Sequence, residues 1–221
     1  SDIKDSGIYL GEILDRKRWS QKKNEKKKVV VLNQPQMSDA TRNLAVSHLK
    51  DRFSLPVVEK ETLPVKEIIY TPAEEIVLDM GQNFAGFMEF DSDFPKGTKI
   101  ILDFGEILQN GNFYNKNYRD AKAQFVYVSD GRKESVRPHF TFFGFRYVRV
   151  TGWPGVLEKE KFTGKVIYSD LERTGDIITS DKKINRLYQN TVWGLKSNFI
   201  DIPTDCPQRS ERLGWTGDAQ V

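Results

Sequence analysis

The stretch that decides the fold is Phe140-Thr141-Phe142-Phe143-Gly144-Phe145-Arg146-Tyr147-Val148-Arg149-Val150. It is rich in aromatic and β-branched residues, which are enriched in β-strands because they fit a pleated, half-buried surface. Successive side chains of a strand point to opposite faces, so Val148 and Val150 should share one face and Phe145 should lie on the other. The stretch therefore predicts one strand of a sheet with an aromatic core.

Runs of the same character recur between Ile68 and Tyr168. The predicted strands are Ile76–Met80, Phe84–Phe90, Thr98–Phe104, Gln124–Val128, Phe140–Val150 and Lys165–Tyr168. Residues typical of turns, namely Gly, Pro, Asn and Asp, separate these runs. Because no helical segment lies between them, the runs predict a mainly β fold in which an antiparallel sheet forms a β-sandwich.

After Tyr168 the apolar residues recur at helical spacing. They are Ile184, Leu187, Tyr188, Val192 and Leu195. This pattern predicts an amphipathic helix over 181–197, with Ser180 as its N-cap. One amphipathic helix cannot bury its apolar stripe alone, so we expect it either to lie on the sandwich or to begin a helical bundle.

The chain is accordingly divided into three predicted parts. These are residues 1–64, the end of a preceding domain with a linker; residues 65–170, the antiparallel β-sandwich; and residues 171–221, the start of a helical domain. The start lacks a methionine and Thr216–Val221 resembles the first turn of a helix, so we expect the chain to be an excised piece of a longer protein.

Signals in the amino-terminal part are weaker. The lysines between Lys22 and Lys28 repel one another and predict a solvated loop, with a patch for an anionic partner as the alternative. A short strand is predicted at Lys28–Leu32 and a helix at 38–52. His48 lies beside the apolar stripe of that helix, which favours packing over catalysis.

Composition excludes several classes of protein. Lys and Arg total 34 against 31 Asp and Glu, and the net charge of +3 does not indicate a nucleic-acid partner. One cysteine, Cys206, and two histidines are too few for a disulfide framework or a zinc cluster, so neither a metal nor another cofactor is expected. No apolar run approaches the roughly 18 residues of a membrane span, and a soluble protein is predicted.

The candidate for chemistry is the polar segment Ile202–Asp218, which Gly and Pro interrupt. Its charged and aromatic side chains are Asp205, Arg209, Glu211, Arg212, Trp215 and Asp218. Carboxylates accept hydrogen bonds from sugar hydroxyls, arginine orients a neighbouring carboxylate, and an indole face covers the apolar C–H groups of a pyranose. The set suits a sugar site, although a salt-bridged interdomain loop has the same composition.

One motif narrows these alternatives. Asp205-Cys206-Pro207-Gln208-Arg209-Ser210-Glu211-Arg212-Leu213-Gly214-Trp215-Thr216-Gly217-Asp218 closely resembles the segment that opens the catalytic domain of bacterial α-L-rhamnosidases, glycoside hydrolase family 78. Upstream stretches agree with the same family in the same order. They are Gly11-Glu12, Asp15-Arg16, Asp79–Gly86, Gly105–Leu108, Arg137–Tyr147 and Thr179–Asp181. The resemblance is weakest over 17–60.

The resemblance implies a β-sandwich followed by an (α/α)6 barrel that releases terminal α-L-rhamnose with inversion. This chain would hold the sandwich and only the first helix of the truncated barrel. Glu211 matches the general acid of the family, and other matched positions line its sugar pocket. Those substrate-binding positions are Asp205, Arg209, Trp215 and Asp218.

Three features qualify this match. Ser210 stands where relatives commonly carry an acidic residue, which alters the local charge beside Glu211. The general base of the family is a glutamate farther along the chain than Val221, so we expect this chain to be inactive in isolation. Flanking guanidiniums of Arg209 and Arg212 favour an ionised Glu211, whereas a general acid has to hold a proton.

The sequence thus predicts a fragment of an inverting glycoside hydrolase. Its partner would be a rhamnose-containing glycoside or polysaccharide. The alternative is a non-catalytic carbohydrate-binding β-sandwich module, in which 205–218 is only a tail. The aglycone, the linkage and the oligomeric state stay open, as does the compartment, which is the bacterial cytoplasm, the periplasm or the exterior.

Overall fold

A computed structural model describes residues 2–17 and 50–217 of the chain. The fold is mainly β, and the described residues contain fourteen strands and one complete α-helix. The strands are β1 Ile3–Gly7, β2 Gly11–Asp15, β3 Val57–Pro64, β4 Glu67–Tyr70, β5 Ile76–Ser92, β6 Lys99–Gly105, β7 Ile107–Gln109, β8 Asn112–Tyr114, β9 Gln124–Val128, β10 Glu134–Val136, β11 Phe143–Thr151, β12 Phe162–Ser169, β13 Phe199–Ile200 and β14 Ile202–Pro203, and the helix is α1 Lys182–Asn198. The strand predicted at Lys28–Leu32, most of the helix predicted at 38–52, and Asp218 lie outside the described residues.

Ten strands join into one curled sheet. Their order is β1-β2-β9-β6-β11-β5-β12-β3, and β4 and β10 also pair with β5. The prediction of a wholly antiparallel sheet is wrong at one pair, because β2 runs parallel to β9 from Glu12–Phe125 to Asp15–Val128. The amino-terminal hairpin β1–β2 adds to the edge of a strand far along the chain, and so long a connection permits either direction.

All six predicted strands are present, and the predicted runs Ile76–Met80 and Phe84–Phe90 merge into β5. Pattern analysis missed β1, β2, β3, β4 and β10, although all five pair within the main sheet. The sheet therefore continues without a break across the domain boundary predicted after residue 64. These strands are short or largely exposed on one face, so they lack a continuous apolar pattern.

A wide bulge divides β5 into two halves. Opposite β11, Phe84 pairs with Phe145 and Asp79 pairs with Tyr147, so four residues of β5 face the single residue Arg146. Arg146 donates to both carboxylate oxygens of the buried Asp79 at 2.8 Å. The amide of Gly81, whose φ is 71°, donates to the same carboxylate at 2.7 Å. Asp79 is therefore bonded both to β11 and to the bulged residues of β5, and these bonds hold the bulge in place.

The bulge also changes which face of β11 is buried. Phe145 is fully buried in the core together with Val148 and Val150, so the predicted placement of Phe145 on the opposite face is wrong. Strict alternation fails because the ladder shifts register between Phe145 and Tyr147. Phe145 then packs with the rings of Phe84 and Phe104, whose centroids lie 4.5 Å and 4.7 Å from its own.

The predicted helix is confirmed with a different cap. Asp181, not Ser180, is the N-cap, because its carboxylate accepts a hydrogen bond from the amide of Lys183 at 2.7 Å. The helix lies against β5 and β12 with Trp193 packed on the core and Lys196 bound to Glu61 at 2.5 Å. The apolar side chains Ile184, Leu187 and Leu195 are each at least half exposed. No helix in the described ranges is long and apolar enough to cross a bilayer.

Asp79→Asn should destabilise the fold. Burial raises the pKa of Asp79, but the hydrogen bonds from Arg146 and Gly81 and the charges of Arg146 and Lys66 outweigh it and hold the pKa below its usual value. Loss of the charged hydrogen bonds should lower the free energy of unfolding by roughly 1.5–3 kcal/mol at neutral pH, measured by urea denaturation. A carboxyl with a depressed folded pKa stabilises above its unfolded pKa, so the effect should fade as the pH falls below about 4.

The matched control is Asp93→Asn. The Asp93 side chain is 76% exposed and its ion-pair partner Lys133 lies 3.9 Å away, so its loss should change stability by less than about 0.5 kcal/mol. Two results would contradict the stabilising role of Asp79 in the bulge. One is an equal loss of unfolding free energy in both variants, and the other is a loss in Asp79→Asn that stays unchanged at acid pH.

Candidate functional site

The segment that carries the predicted site residues leaves β14 at Thr204 and runs irregularly to residue 217. The buried Thr204 anchors its start, because its amide donates to the carbonyl of Asn198 at 2.8 Å. Asp205 and Arg212 both have left-handed backbones, with φ of 61° and 57°. Such conformations are uncommon outside glycine and persist where surrounding contacts hold them. The segment is thus bent at two points and held between them.

Contacts with the sheet hold the middle of the segment. Gln208 lies directly over Gly144 of β11, where an added Cβ would come 2.9 Å from the amide nitrogen of Gln208. Ser210 donates its amide to the carbonyl of Tyr118 at 3.4 Å and accepts from the amide of Asp120 at 3.3 Å. Ser210 thus joins the segment to the turn after β8.

Glu211 lies between two guanidiniums. Its Oε2 accepts hydrogen bonds from Arg209 at 2.7 Å and from Arg119 at 3.1 Å. The Glu211 side chain is 18% exposed, so these charge-assisted bonds act in a partly dehydrated setting. Tyr9, in the turn between β1 and β2, donates its hydroxyl to the backbone carbonyl of Glu211. Both the side chain and the backbone of Glu211 are therefore held.

Asp205 and Cys206 lie beside Glu211. One potential ligand atom from each of the three residues falls within 4.8 Å of the others, the one such metal-binding grouping found in the described ranges. Burial raises the pKa of the Cys206 thiol to about 11, and its hydrogen bond to Asp205 at 3.3 Å acts in the same direction. A protonated thiol is a poor nucleophile, so this environment does not favour thiol catalysis by Cys206.

Trp215 borders a shallow apolar cleft of about 240 Å³ together with Asp205. The other lining residues are Thr191, Gly194, Leu195, Asn198, Phe199 and Pro203. The indole is 51% exposed, so its face is available to a ligand. An aromatic face beside a carboxylate is the arrangement expected for a pyranose ring.

A second, polar cleft of about 340 Å³ lies on the other side of Asp205, between α1 and the bulge of β5. Glu106 lines it and accepts a hydrogen bond from Asn83 at 3.0 Å. Burial raises the pKa of Glu106, although hydrogen bonds from Asn83 and Gln208 and the charge of Arg209 act the other way. Glu106 therefore connects the bulge to the segment.

The structure brings together three of the five predicted site residues, namely Asp205, Arg209 and Glu211. Trp215 shares a cleft with Asp205, and the position of Asp218 stays a prediction. Sequence reasoning missed the contributors from the sheet domain. They are Tyr9, Glu106 and Arg119. Only Glu106 had a signal, since it lies in the stretch Gly105–Leu108 quoted above.

Comparison with known families gives two adjacent matches. Residues 69–168 match the bacterial α-L-rhamnosidase concanavalin-like domain. Residues 172–221 match the bacterial α-L-rhamnosidase 6 hairpin glycosidase domain. Both models describe domains of one class of protein, the glycosidases, and the segment with its carboxylates, arginines and indole lies within the second match.

Individual similar proteins indicate the same family as the two domain matches. The chain is 41% identical over 178 residues to an α-L-rhamnosidase of Formosa agariphila and 38% identical over 177 residues to one of Alteromonas sp., in each case over 78% of this chain and 19% of the relative. The structure of Streptomyces avermitilis α-L-rhamnosidase, solved with L-rhamnose, superposes with a TM-score of 0.81 at 30% identity, over 99% of this chain and 21% of that one.

The chain belongs to the bacterial α-L-rhamnosidase family. It spans about a fifth of the length of the curated relatives it matches. The expected resemblance is confirmed for the family and for the mainly β fold.

Gly144→Ala should loosen the segment without unfolding the sheet. The new methyl group would come within 2.9–3.1 Å of backbone atoms and the Cβ of Gln208, which have little freedom to move. Overpacking of this kind costs about 1–3 kcal/mol. Hydrogen exchange should therefore speed up at residues 208–211, while the amides of the central strand β5 keep their protection.

Gly175→Ala serves as the control, because its new methyl group would have no neighbour within 4 Å. Exchange in this variant should match the parent chain throughout. Unchanged exchange at residues 208–211 in Gly144→Ala would show that the close approach does not hold the segment.

Proposed function

We propose that the protein carrying this chain hydrolyses terminal α-L-rhamnosides, with Glu211 as the general acid. The observation that carries the proposal is the grouping of Asp205, Arg209 and Glu211 in a segment of the glycosidase-domain match. The relatives named above are α-L-rhamnosidases, and one of them was solved with L-rhamnose. The substrate is accordingly a rhamnose-containing glycoside or polysaccharide.

Each side chain has a distinct role in this proposal. Arg209 and Arg119 both bind Oε2 of Glu211, which leaves Oε1 as the oxygen that carries the transferable proton toward the leaving group. Asp205 accepts hydrogen bonds from sugar hydroxyls, and Trp215 covers an apolar face of the ring. Asp218 supplies a further hydroxyl acceptor, as the family resemblance implies.

The reaction proceeds with inversion in this proposal. An inverting hydrolase keeps its two carboxyl groups roughly 6.5–9.5 Å apart to admit a water molecule. A carboxylate oxygen of Asp205 lies within 4.8 Å of one of Glu211, which is too close for that geometry. This short separation favours Asp205 as a binding residue, and in the proposal the general base is a carboxylate from farther along the protein.

The architecture of the intact protein follows the same proposal. The curled sheet closes as a β-sandwich, and α1 is the first helix of an (α/α)6 barrel. The half-exposed apolar side chains of α1 are consistent with a helix that packs in a bundle. The alternative, a carbohydrate-binding module without catalysis, would bind rhamnosides without turnover in any assay of the full-length protein.

Glu211→Gln should lower the rate according to the leaving group. Glutamine keeps the shape and the hydrogen bonds but carries no transferable proton. In the full-length protein, kcat/KM for aryl α-L-rhamnosides with poor leaving groups should fall roughly 10²–10⁴-fold, and for 2,4-dinitrophenyl rhamnoside much less.

Asp205→Asn and Asp218→Asn are the comparison variants. If these carboxylates bind only sugar hydroxyls, kcat/KM should fall by the same factor for good and poor leaving groups, because the lost contacts do not depend on the leaving group. Equal losses for both substrates in Glu211→Gln, or leaving-group dependence at Asp218 instead, would move the acid role to another residue.

The isolated 221-residue chain should not turn over rhamnosides. In this proposal the general base comes from farther along the protein, and the indole of Trp215 is half exposed, so both the proton relay and substrate positioning would be incomplete in the isolated chain. We expect hydrolysis of 4-nitrophenyl α-L-rhamnoside at less than about 10⁻³ of the rate of the full-length protein. Turnover within tenfold of it would refute the need for a downstream base.

A further inference from the structure

Arg212 is an unusual cation for its surroundings. It is 7% exposed, yet in residues 2–17 and 50–217 the structure gives it no ion pair with a carboxylate, and its Nε has no hydrogen-bond partner there. Burial lowers the pKa of its guanidinium to about 10. A buried charge without an acidic partner is costly, so the contacts that Arg212 does make are informative.

Those contacts lead to the turn between β1 and β2. Nη1 of Arg212 donates to the carbonyl of Ile8 at 2.7 Å. The guanidinium also lies over two aromatic rings, 4.6 Å from the centroid of Phe142 and 5.4 Å from that of Tyr9. Arginine stacks in this way because its charge is spread over a planar group.

Tyr9 completes a reciprocal pair of bonds. Its hydroxyl donates to the carbonyl of Glu211, while Arg212 donates to the carbonyl of Ile8. Two neighbouring residues of the turn are thus joined to two neighbouring residues of the segment. One bond is made to the carbonyl of Glu211 and the other by the side chain of the next residue, so the main chain at Glu211 and Arg212 is tied to the turn by two separate bonds.

The turn itself is rigidly attached to the sheet. The carbonyl of Tyr9 accepts from the amide of Lys122 at 2.8 Å. The buried carboxylate of Glu12 accepts from the amides of His139 and Phe140 at 2.9–3.0 Å. These bonds hold the turn against the loop that precedes β11. Phe142 lies in that loop.

We propose that Tyr9 and Arg212 are positioning residues for Glu211. They lock the backbone at Glu211 against the β1–β2 turn, and so set the direction in which its side chain leaves the main chain. Arg119 and Arg209 then hold the carboxylate end of the same side chain. The inference rests on the proposed function, in which Glu211 is the general acid.

A pair of residues that only stabilised the fold would behave differently. Its loss would lower stability and would lower the rate of hydrolysis equally for all substrates. Misdirection of a general acid, by contrast, slows only those substrates whose leaving group has to be protonated. The deciding readout is therefore the dependence of the rate on the leaving group.

The test uses Tyr9→Phe in the full-length protein, which removes one hydrogen bond and keeps the ring under Arg212. With phenyl α-L-rhamnoside, kcat should fall roughly three- to tenfold, and KM should not change. With 2,4-dinitrophenyl α-L-rhamnoside, kcat should fall less than about twofold, because this leaving group needs little protonation.

Tyr127→Phe is the matched control. The Tyr127 hydroxyl bonds to Glu134 at 3.1 Å and accepts from Ser92 at 3.0 Å, and neither partner belongs to residues 205–217. It should affect both substrates equally. A Tyr9→Phe variant that shows no greater leaving-group dependence than Tyr127→Phe overturns the inference.

Arg212→Met gives a second measurement. Methionine fills the space between the rings without burying a charge, so the melting temperature should stay within a few degrees, roughly the cost of a tolerated core replacement. The loss in kcat on phenyl rhamnoside should equal or exceed that of Tyr9→Phe. Equal losses on both substrates would assign Arg212 to stability alone and contradict the proposal.

Glu211→Gln, assayed beside these variants, separates the two hypotheses. If it shows no leaving-group dependence, the proposed function fails and the positioning role fails with it. If Glu211→Gln shows that dependence and Tyr9→Phe does not, only the positioning role is wrong.

Discussion

The ion pair between Asp79 and Arg146 is the constraint on which the rest of the structure depends. It lies under the bulge of β5, the strand that pairs with β4, β10, β11 and β12. A bidentate arginine–carboxylate pair has a defined geometry as well as a favourable energy, so it sets where β5 leaves the ladder and where it returns. The register shift in β11 that follows brings Phe145 into the aromatic core.

The same bulge reaches the candidate site. It projects Asn83 toward Glu106, and Glu106 in turn hydrogen-bonds Gln208 of the segment. Gly144 allows the backbone of Gln208 to approach β11 more closely than any side chain would permit. The sheet therefore acts as a template for residues 205–212, which have no regular structure of their own.

Charge is distributed unevenly around this template. Glu211 is bound by two guanidiniums, whereas the neighbouring buried Arg212 is bound by a carbonyl and two rings. A carboxylate surrounded by cations and a cation surrounded by neutral groups give the segment a polarised interior. In such partly dehydrated surroundings, small changes in geometry have larger electrostatic effects than they would in water.

The sequence by itself determined the local properties of this protein. Aromatic and β-branched runs, turn residues and helical spacing located five strands and one helix, and a long polar motif located the segment that carries Glu211. These signals are read from neighbours in the chain, where side-chain period and backbone preference act directly.

Only the tertiary structure decided how distant parts meet. The parallel pairing of β2 with β9, the burial of Phe145, and the contacts of Tyr9 and Arg119 with Glu211 all join residues far apart in sequence. No local pattern encodes them, because they depend on the curl of the sheet, the bulge in β5 and the space left above Gly144. A sequence motif thus indicated the chemistry of the segment, while its geometry was set by packing on a surface built from other parts of the chain.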